Sequence, residues 1–291
     1  MRRRGSPSSI WGPDLGDGTL AAWLRAASGR LAGVSQTPRL DAELLAAHAL
    51  GISREELILR LPRLVLPDAA EALIERRLAH EPVAYITGTR DFWTLTLRVT
   101  PAVLIPRPDS ETLIEAAIEH FKGVAAPRRI LDLGTGSGAL LLAALDEWRA
   151  ASGLGVDCSD EALAVARDNA ARCGMDARAR FQAGDWADGL AERFDLILCN
   201  PPYITPNALL PREVAGHEPA GALFGGADGL APYRVLARQI GGVLAPGGVA
   251  LFEIGFDQGE TARALFQAAG FTVALRQDLA GRDRALVVAA G

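Results

Sequence analysis

From residue 110 onward, short apolar runs alternate with stretches of helical periodicity, a rhythm that restricts this part of the chain to a parallel sheet flanked by helices. Strands are predicted over 130–133, 154–157, 180–183, 196–199, 249–253, 271–275 and 285–289, with helices over 139–148, 161–172 and 232–244 among them. The run Leu196-Ile197-Leu198-Cys199 is continuously apolar, as a strand covered on both faces must be. The expected fold class is therefore α/β.

The segment before it has a different period. Leu20, Trp23, Leu24, Ala27 and Leu31 share one helical face, and Ala70, Leu73, Ile74 and Leu78 repeat the pattern. Between them Ser53-Arg54-Glu55-Glu56 has the form of a capping box, Ser53 capping the helix and Glu56 returning the bond. A small helical domain is expected over 18–88. Trp93 to Val99 alternates apolar and polar residues with period two, Thr100-Pro101-Ala102 turns the chain and 103–105 runs back, so a β-hairpin linker is expected over 89–109. The large α/β domain then occupies 110–291. Residues 1–17 are basic at the start but lack the apolar core of a secretory signal, and are expected to form a disordered tail.

Composition excludes several classes of protein. With 291 residues and 49% hydrophobic content the chain can bury a sizeable core, yet no apolar run approaches the roughly 20 residues that span a bilayer. Cys158, Cys173 and Cys199 make no paired framework, which fits a reducing compartment, taken as the cytoplasm. His48, His80, His120 and His217 are scattered, so no metal site is expected. The net charge of −5 divides into +1 for residues 1–89 and −6 for the rest, without the basic footprint of a protein that holds long nucleic acid.

Chemistry collects at the predicted strand ends. Asp132-Leu133-Gly134-Thr135-Gly136-Ser137-Gly138 joins the first strand to a helix; its glycines allow a tight turn and a close ligand approach above a helix N-terminus. The GxGxG spacing lacks the GxGxxG of the dinucleotide fingerprint. Asp157 ends the second strand, where an acid hydrogen-bonds ribose hydroxyls; the competing reading is a helix N-terminal acid, a role that Ser159-Asp160 already supply. Gly184-Asp185-Trp186 ends the third, with Trp186 either lining an adenine ring or packing in the core and Asp185 placed to accept from an amino group. The fourth ends in Asn200-Pro201-Pro202-Tyr203, where prolines stop further pairing and hold a carboxamide at the sheet edge. A carboxamide oxygen and nearby backbone carbonyls can grip both hydrogens of a planar NH2 group; the alternative is an Asn that begins a turn.

The order of these four motifs resembles the class I (Rossmann-like) methyltransferases that use S-adenosylmethionine, and Asn-Pro-Pro-Tyr is found among those that methylate planar nitrogens. Pro82-Val83-Ala84-Tyr85-Ile86-Thr87-Gly88, Phe92 and Leu104-Ile105-Pro106-Arg107-Pro108-Asp109-Ser110-Glu111 resemble the protein-(glutamine-N5) methyltransferases of peptide chain release factors. So do Asp41-Ala42-Glu43-Leu44-Leu45, Glu218-Pro219, Gly225 to Leu230 and Phe252-Glu253-Ile254-Gly255. One departure is Ser110, where that family usually has Thr; both carry a hydroxyl.

The resemblance implies S-adenosyl-L-methionine as cofactor, held by Gly134, Thr135, Gly136, Ser137, Gly138, Asp157, Trp186 and Asn200. It implies a release-factor glutamine in a Gly-Gly-Gln motif as substrate, bound by Asn200, Pro201, Pro202 and Tyr203, with Asn200 and Tyr203 as the catalytic pair. The helical domain would help dock this protein substrate. The expected working form is a cytoplasmic monomer that binds neither nucleic acid nor membrane. Arg107 and Glu111 are expected to anchor a segment covering the pocket. Two alternatives remain open: a methyltransferase acting on amino nitrogens of rRNA or DNA, and a catalytically silent binding relative.

Overall fold

The structure, a computed structural model, describes residues 19–61, 64 and 68–291; the tail expected over 1–17 lies outside them. The chain divides into two compact units, one ending at Thr87 and the other running from Gly88 to Gly291.

The first unit is helical, with α1 (Leu20–Leu31), α2 (Pro38–Leu50), α3 (Arg54–Arg60), α4 (Ala69–Leu78) and α5 (Val83–Thr87). The predicted face of α1 is buried throughout and packs with Leu45, Leu57, Ala70 and Ile74, while Leu73 and Leu78 lie partly buried at the edge of this core. Thr19 caps α1 by accepting from Ala22 N at 3.2 Å, and Ser53 caps α3 by accepting from Glu56 N at 3.1 Å. The box is closed on one side only, because the Glu56 carboxylate pairs one turn onward with Arg60. Asp41 and Glu43 are architectural. Arg77, 4% exposed, donates to Asp41 at 2.8 Å and to the Val34 carbonyl at 3.2 Å, and Glu43 receives Arg39 and Arg54. Buried charges survive because each has a hydrogen-bonded counter-charge.

The second unit begins with a hairpin, but not the one the alternation suggests. Its strands are β1 (Thr89–Phe92) and β2 (Leu95–Arg98), with Phe92 opposite Leu95, so Trp93 and Thr94 form the turn and Trp93 sits at φ 56°. Residues 103–105 make no strand. Prolines at 101 and 106 remove donors on either side, Val103 N turns back to Thr100 O at 3.0 Å, and Ile105 N is bonded to Glu218 at 3.4 Å.

A seven-stranded sheet follows, made of β3 (Arg129–Leu133), β4 (Ser152–Asp157), β5 (Ala179–Ala183), β6 (Phe194–Cys199), β7 (Leu244–Glu253), β8 (Phe271–Gln277) and β9 (Asp283–Ala290) in the order β5-β4-β3-β6-β7-β9-β8. The five strands from β5 to β7 are parallel, and β9 runs antiparallel between β7 and β8. All seven predicted strands are present. Its helices are α6 (Glu111–His120), α7 (Ala139–Glu147), α8 (Asp160–Arg172), the short α9 (Arg212–His217), α10 (Ala231–Val243) and α11 (Gly259–Ala268).

The pleat sorts the strands between two cores. Ile130, Leu196 and Leu198 pack with Leu113 of α6 and Leu141 of α7, whereas Leu131, Ile197 and Cys199 pack with Tyr233 and Leu236 of α10 and Phe266 of α11. From β3 the chain winds outward through β4 to β5, then returns to β6 on the other side of β3. The order in which strands are added therefore reverses between the parallel neighbours β3 and β6, and the crevice above their carboxyl ends is where open α/β sheets bind ligands.

Candidate functional site

Local backbone demands explain the glycine loop. Gly134, Gly136 and Gly138 lie at φ 69°, 53° and 82°, a left-handed region that other residues rarely adopt. Gly134 N and Thr135 N donate to Val156 O on β4 at 2.8 and 3.0 Å, and Gly138 N closes the turn onto Thr135 O at 2.7 Å. A cleft of about 260 Å³ opens above, far more than the roughly 30 Å³ share of one water molecule, so it is shaped for a larger guest. Residues 134 to 137 line it; Gly138 does not, and instead faces Ala166 and Leu142 at the start of α7.

Asp157 accepts from Gly136 N at 2.8 Å through Oδ2 and from Ser159 N at 3.0 Å through Oδ1, which leaves lone pairs toward the cleft. Helix α8 is capped by Ser159, whose Oγ accepts from Ala162 N at 3.1 Å, so Asp157 is not needed for that task. Trp186 and Asp185 also line the cleft. Trp186 holds φ 55°, an uncommon state for a bulky residue, and its ring edge lies 3.4 Å from where a Cβ on Gly134 would stand. It is partly buried against the core and lines the cleft at once, so packing in the core does not take the ring out of the cleft.

Asp132, at the end of β3 and 1% exposed, was absent from the predicted site. Its Oδ2 accepts from Thr135 Oγ1 at 2.6 Å and Leu141 N at 3.3 Å, while Oδ1, buried on the cleft wall, has no partner among the described residues. Burial raises its carboxyl to about 7, opposed by the Thr135 and Leu141 bonds and reinforced by nearby Asp157. An orphaned buried acceptor beside a cleft fits a ligand that brings positive charge or donors. An acid near the end of a strand that leads into a glycine loop was the available signal.

Asn200 stands just past β6. Leu133 pairs with Cys199, so Gly134 and Asn200 leave adjacent strands at one level, and a Cβ on Gly134 would be 4.0 Å from Asn200 O. Asn200 Nδ2 donates to Ser110 Oγ at 3.1 Å, and Ser110 Oγ donates to Glu253 Oε2. Tyr203 donates to Glu253 Oε1 at 3.2 Å, and Tyr233 donates to the Glu253 carbonyl at 2.8 Å. Glu253 is 1% exposed; burial raises its carboxyl, opposed by the Ser110 and Tyr203 hydroxyls and by Arg284. Burial also raises the Tyr203 hydroxyl. Asn200 and Pro202 line the cleft, while Pro201 and Tyr203 do not: the Tyr203 ring leans on the core and its hydroxyl turns to Glu253.

The slot is braced from behind. Gln258 Nε2 donates to Tyr203 O at 3.1 Å, and Gly225 and Gly229 pass so close that a Cβ on either would lie 2.4 Å from Pro202 O or 2.3 Å from Tyr203 O. Arg107 does not pair with Glu111. It pairs with Glu218, which also receives Ile105 N, whereas Glu111 accepts from Trp93 N at 2.9 Å and fixes the hairpin turn. Both residues anchor segments, but Arg107 does so through a partner 111 residues away in the sequence. Among the described residues no group of His, Cys, Asp and Glu is arranged to hold a metal ion, and no helix is long and apolar enough to cross a membrane.

The sheet order and the loops at its crevice define a methyltransferase domain. Residues 126–253 match the family model described as a methyltransferase domain, and residues 22–88 match that of the PrmC N-terminal domain. A methyltransferase from Pyrococcus furiosus shares the fold at a TM-score of 0.50 and 18% identity, over 76% of this chain and 98% of that one. Release factor glutamine methyltransferase of Rhodospirillum rubrum is 46% identical over 264 residues, spanning 89% of this chain and 80% of its own length. That of Caulobacter vibrioides is 45% identical over 275 residues, spanning 91% and 94%. The chain belongs to the release factor glutamine methyltransferase family.

Proposed function

We propose that this protein methylates the side-chain amide nitrogen of the glutamine in the Gly-Gly-Gln motif of peptide chain release factors, with S-adenosyl-L-methionine as methyl donor. The observation that carries this reading is the Asn200 carboxamide, held at the crevice with its nitrogen committed to Ser110. Gly134, Thr135, Gly136 and Ser137 would cradle the cofactor, Gly138 shaping the turn, with Asp157 on the ribose, Trp186 beside the adenine and Asp132 toward its cationic end. The residues present fit that group: an orphaned acid oxygen, a ribose-ready carboxylate and a ring lie around one cleft. When bound, the cofactor supplies an electrophilic methyl on a sulfonium.

An amide nitrogen is a sluggish nucleophile because its lone pair is delocalised into the carbonyl, so orientation must supply much of the rate. Asn200 Oδ1 and the Pro201 carbonyl would accept the two N–H bonds of the substrate, fixing the nitrogen and favouring the positive charge that develops there. Pro202 would wall the slot, and Tyr203, anchored on Glu253 with its ring against the core, would hold the slot's backbone from behind. The helical domain over 18–88 would dock the release factor, the linker over 89–109 joining it to the catalytic domain over 110–291. The protein would act as a monomer in the cytoplasm without binding nucleic acid.

Incubation with a labelled methyl donor and either release factor or ribosomal RNA tests this: label is expected on the release-factor glutamine, located by mass spectrometry, and label on RNA alone would refute it. Asn200→Ala is expected to reduce single-turnover methylation by about 10²-fold or more with the fold intact. Near-normal turnover in the folded variant removes Asn200 from the mechanism.

A further inference from the structure

We infer that Ser110, oriented by Glu253, is a positioning residue that decides which end of the Asn200 carboxamide faces the cleft, and so makes the slot a receiver of N–H donors rather than of carbonyl or carboxylate oxygens. The inference rests on the proposed role of Asn200 and deepens it.

A serine hydroxyl has one proton to donate and lone pairs to accept with. Ser110 Oγ donates to Glu253 Oε2, so toward Asn200 it can only accept. The end of the amide that meets it must be Nδ2, and it is, at 3.1 Å. An inverted amide would set Oδ1 against a lone pair. With Nδ2 taken, Oδ1 is left toward the cleft, and among the described residues no protein group is shown donating to it.

The arrangement is rigid because each member is fixed elsewhere. Ser110 is 4% exposed at the head of α6, and reaches Asn200 and Glu253 across 90 and 143 residues of sequence. The second oxygen of Glu253 accepts from Tyr203, and its backbone carbonyl from Tyr233. Arg284, with an ion pair to Asp109 at 3.0 Å and another to Asp278 at 3.2 Å, keeps positive charge close by. Surrounded by hydroxyl donors and a guanidinium, Glu253 acts as an acceptor, and that preference passes through Ser110 to Asn200.

A consequence for selectivity follows. Glutamine and glutamate differ only in whether the terminal group offers N–H donors or a second oxygen. A slot presenting Oδ1 accepts the first and repels the second, whereas a flipped amide would do the reverse.

The test compares Ser110→Thr with Ser110→Val, near-isosteric side chains that differ by the hydroxyl. Single-turnover methylation is expected to run about tenfold faster in the Thr variant, the scale of one hydrogen bond, with cofactor affinity equal in the two. Binding is also measured for a release-factor fragment carrying glutamine or glutamate at the target position. The preference for glutamine should shrink about tenfold in Ser110→Val and persist in Ser110→Thr. If the Val variant does not fold, Ser110→Ala takes its place. Equal rates and equal preferences in the hydroxyl and non-hydroxyl variants overturn the inference. Asn200→Ala is run in parallel: if it turns over normally, the proposed role of Asn200 fails, and if it is dead while the Ser110 variants match, only the positioning role fails.

Discussion

Asn169, wholly buried on α8, ties three pieces of the catalytic unit together. Its Oδ1 accepts from Arg98 N at 2.7 Å, and its Nδ2 donates to Arg98 O at 2.9 Å and to Ser137 O at 2.9 Å. One amide thus completes the ladder edge of β2 and braces the loop that walls the cleft. Asn169→Ala would leave one donor and two acceptors without partners. Each buried polar group so orphaned costs about 1–3 kcal/mol, and the two Arg98 groups sit only partly buried, where water recovers some of the loss. The expected destabilisation is therefore about 2–5 kcal/mol, a large share of the roughly 5–15 kcal/mol that holds typical proteins folded. For a unit of this size that is a fall of about 6–15 °C in Tm.

Circular dichroism melting gives the shift, and titration with S-adenosylhomocysteine reports on the loop. Asn169→Asp sharpens the reasoning: it keeps the acceptor for Arg98 N but sets a carboxylate against two carbonyl oxygens, so it should be less stable than the alanine variant at neutral pH. An alanine variant that melts within a degree or two of the parent, or an aspartate variant more stable than it, would refute the argument.

Asp132, with its carboxyl raised to about 7 by burial, makes two outcomes pH-dependent. Its folded value exceeds the ordinary 3.8, so its contribution to stability is greatest below that value and is lost as pH rises toward about 7; melting of the free protein should show this, and Asp132→Asn should flatten it. Affinity for a cationic ligand needs the carboxylate and should fall by about fivefold between pH 7 and about pH 6, as read by calorimetry; a flat profile would contradict the assignment. Gly229→Ala places a Cβ 2.3 Å from Tyr203 O at a residue of φ 72°, and should reduce methyl transfer at least about tenfold by displacing the Asn-Pro-Pro-Tyr backbone, as single-turnover rates will show; Gly51→Ala, with φ 67° but open space around it, serves as the control for backbone strain alone.

The sequence by itself determined the elements whose causes are local. Periodicity placed the seven strands, because a parallel strand covered on both faces must be apolar along its length, and the glycines announced a loop that only left-handed backbone can close. It also put Asp157, Trp186 and Asn200 at strand ends, where the topology delivers them to one crevice. The tertiary structure alone decided what those residues touch. The hairpin closed at Trp93 rather than near Pro101 because the available partner for β2 lay upstream, which alternation cannot say. Arg107 found its partner in Glu218, 111 residues away. The relay from Glu253 through Ser110 to Asn200 joins positions 143 and 90 residues apart, and a hydrogen bond needs a few ångströms in space while imposing no spacing along the chain. A motif names the group that meets the ligand, and the packed fold fixes the direction in which it points.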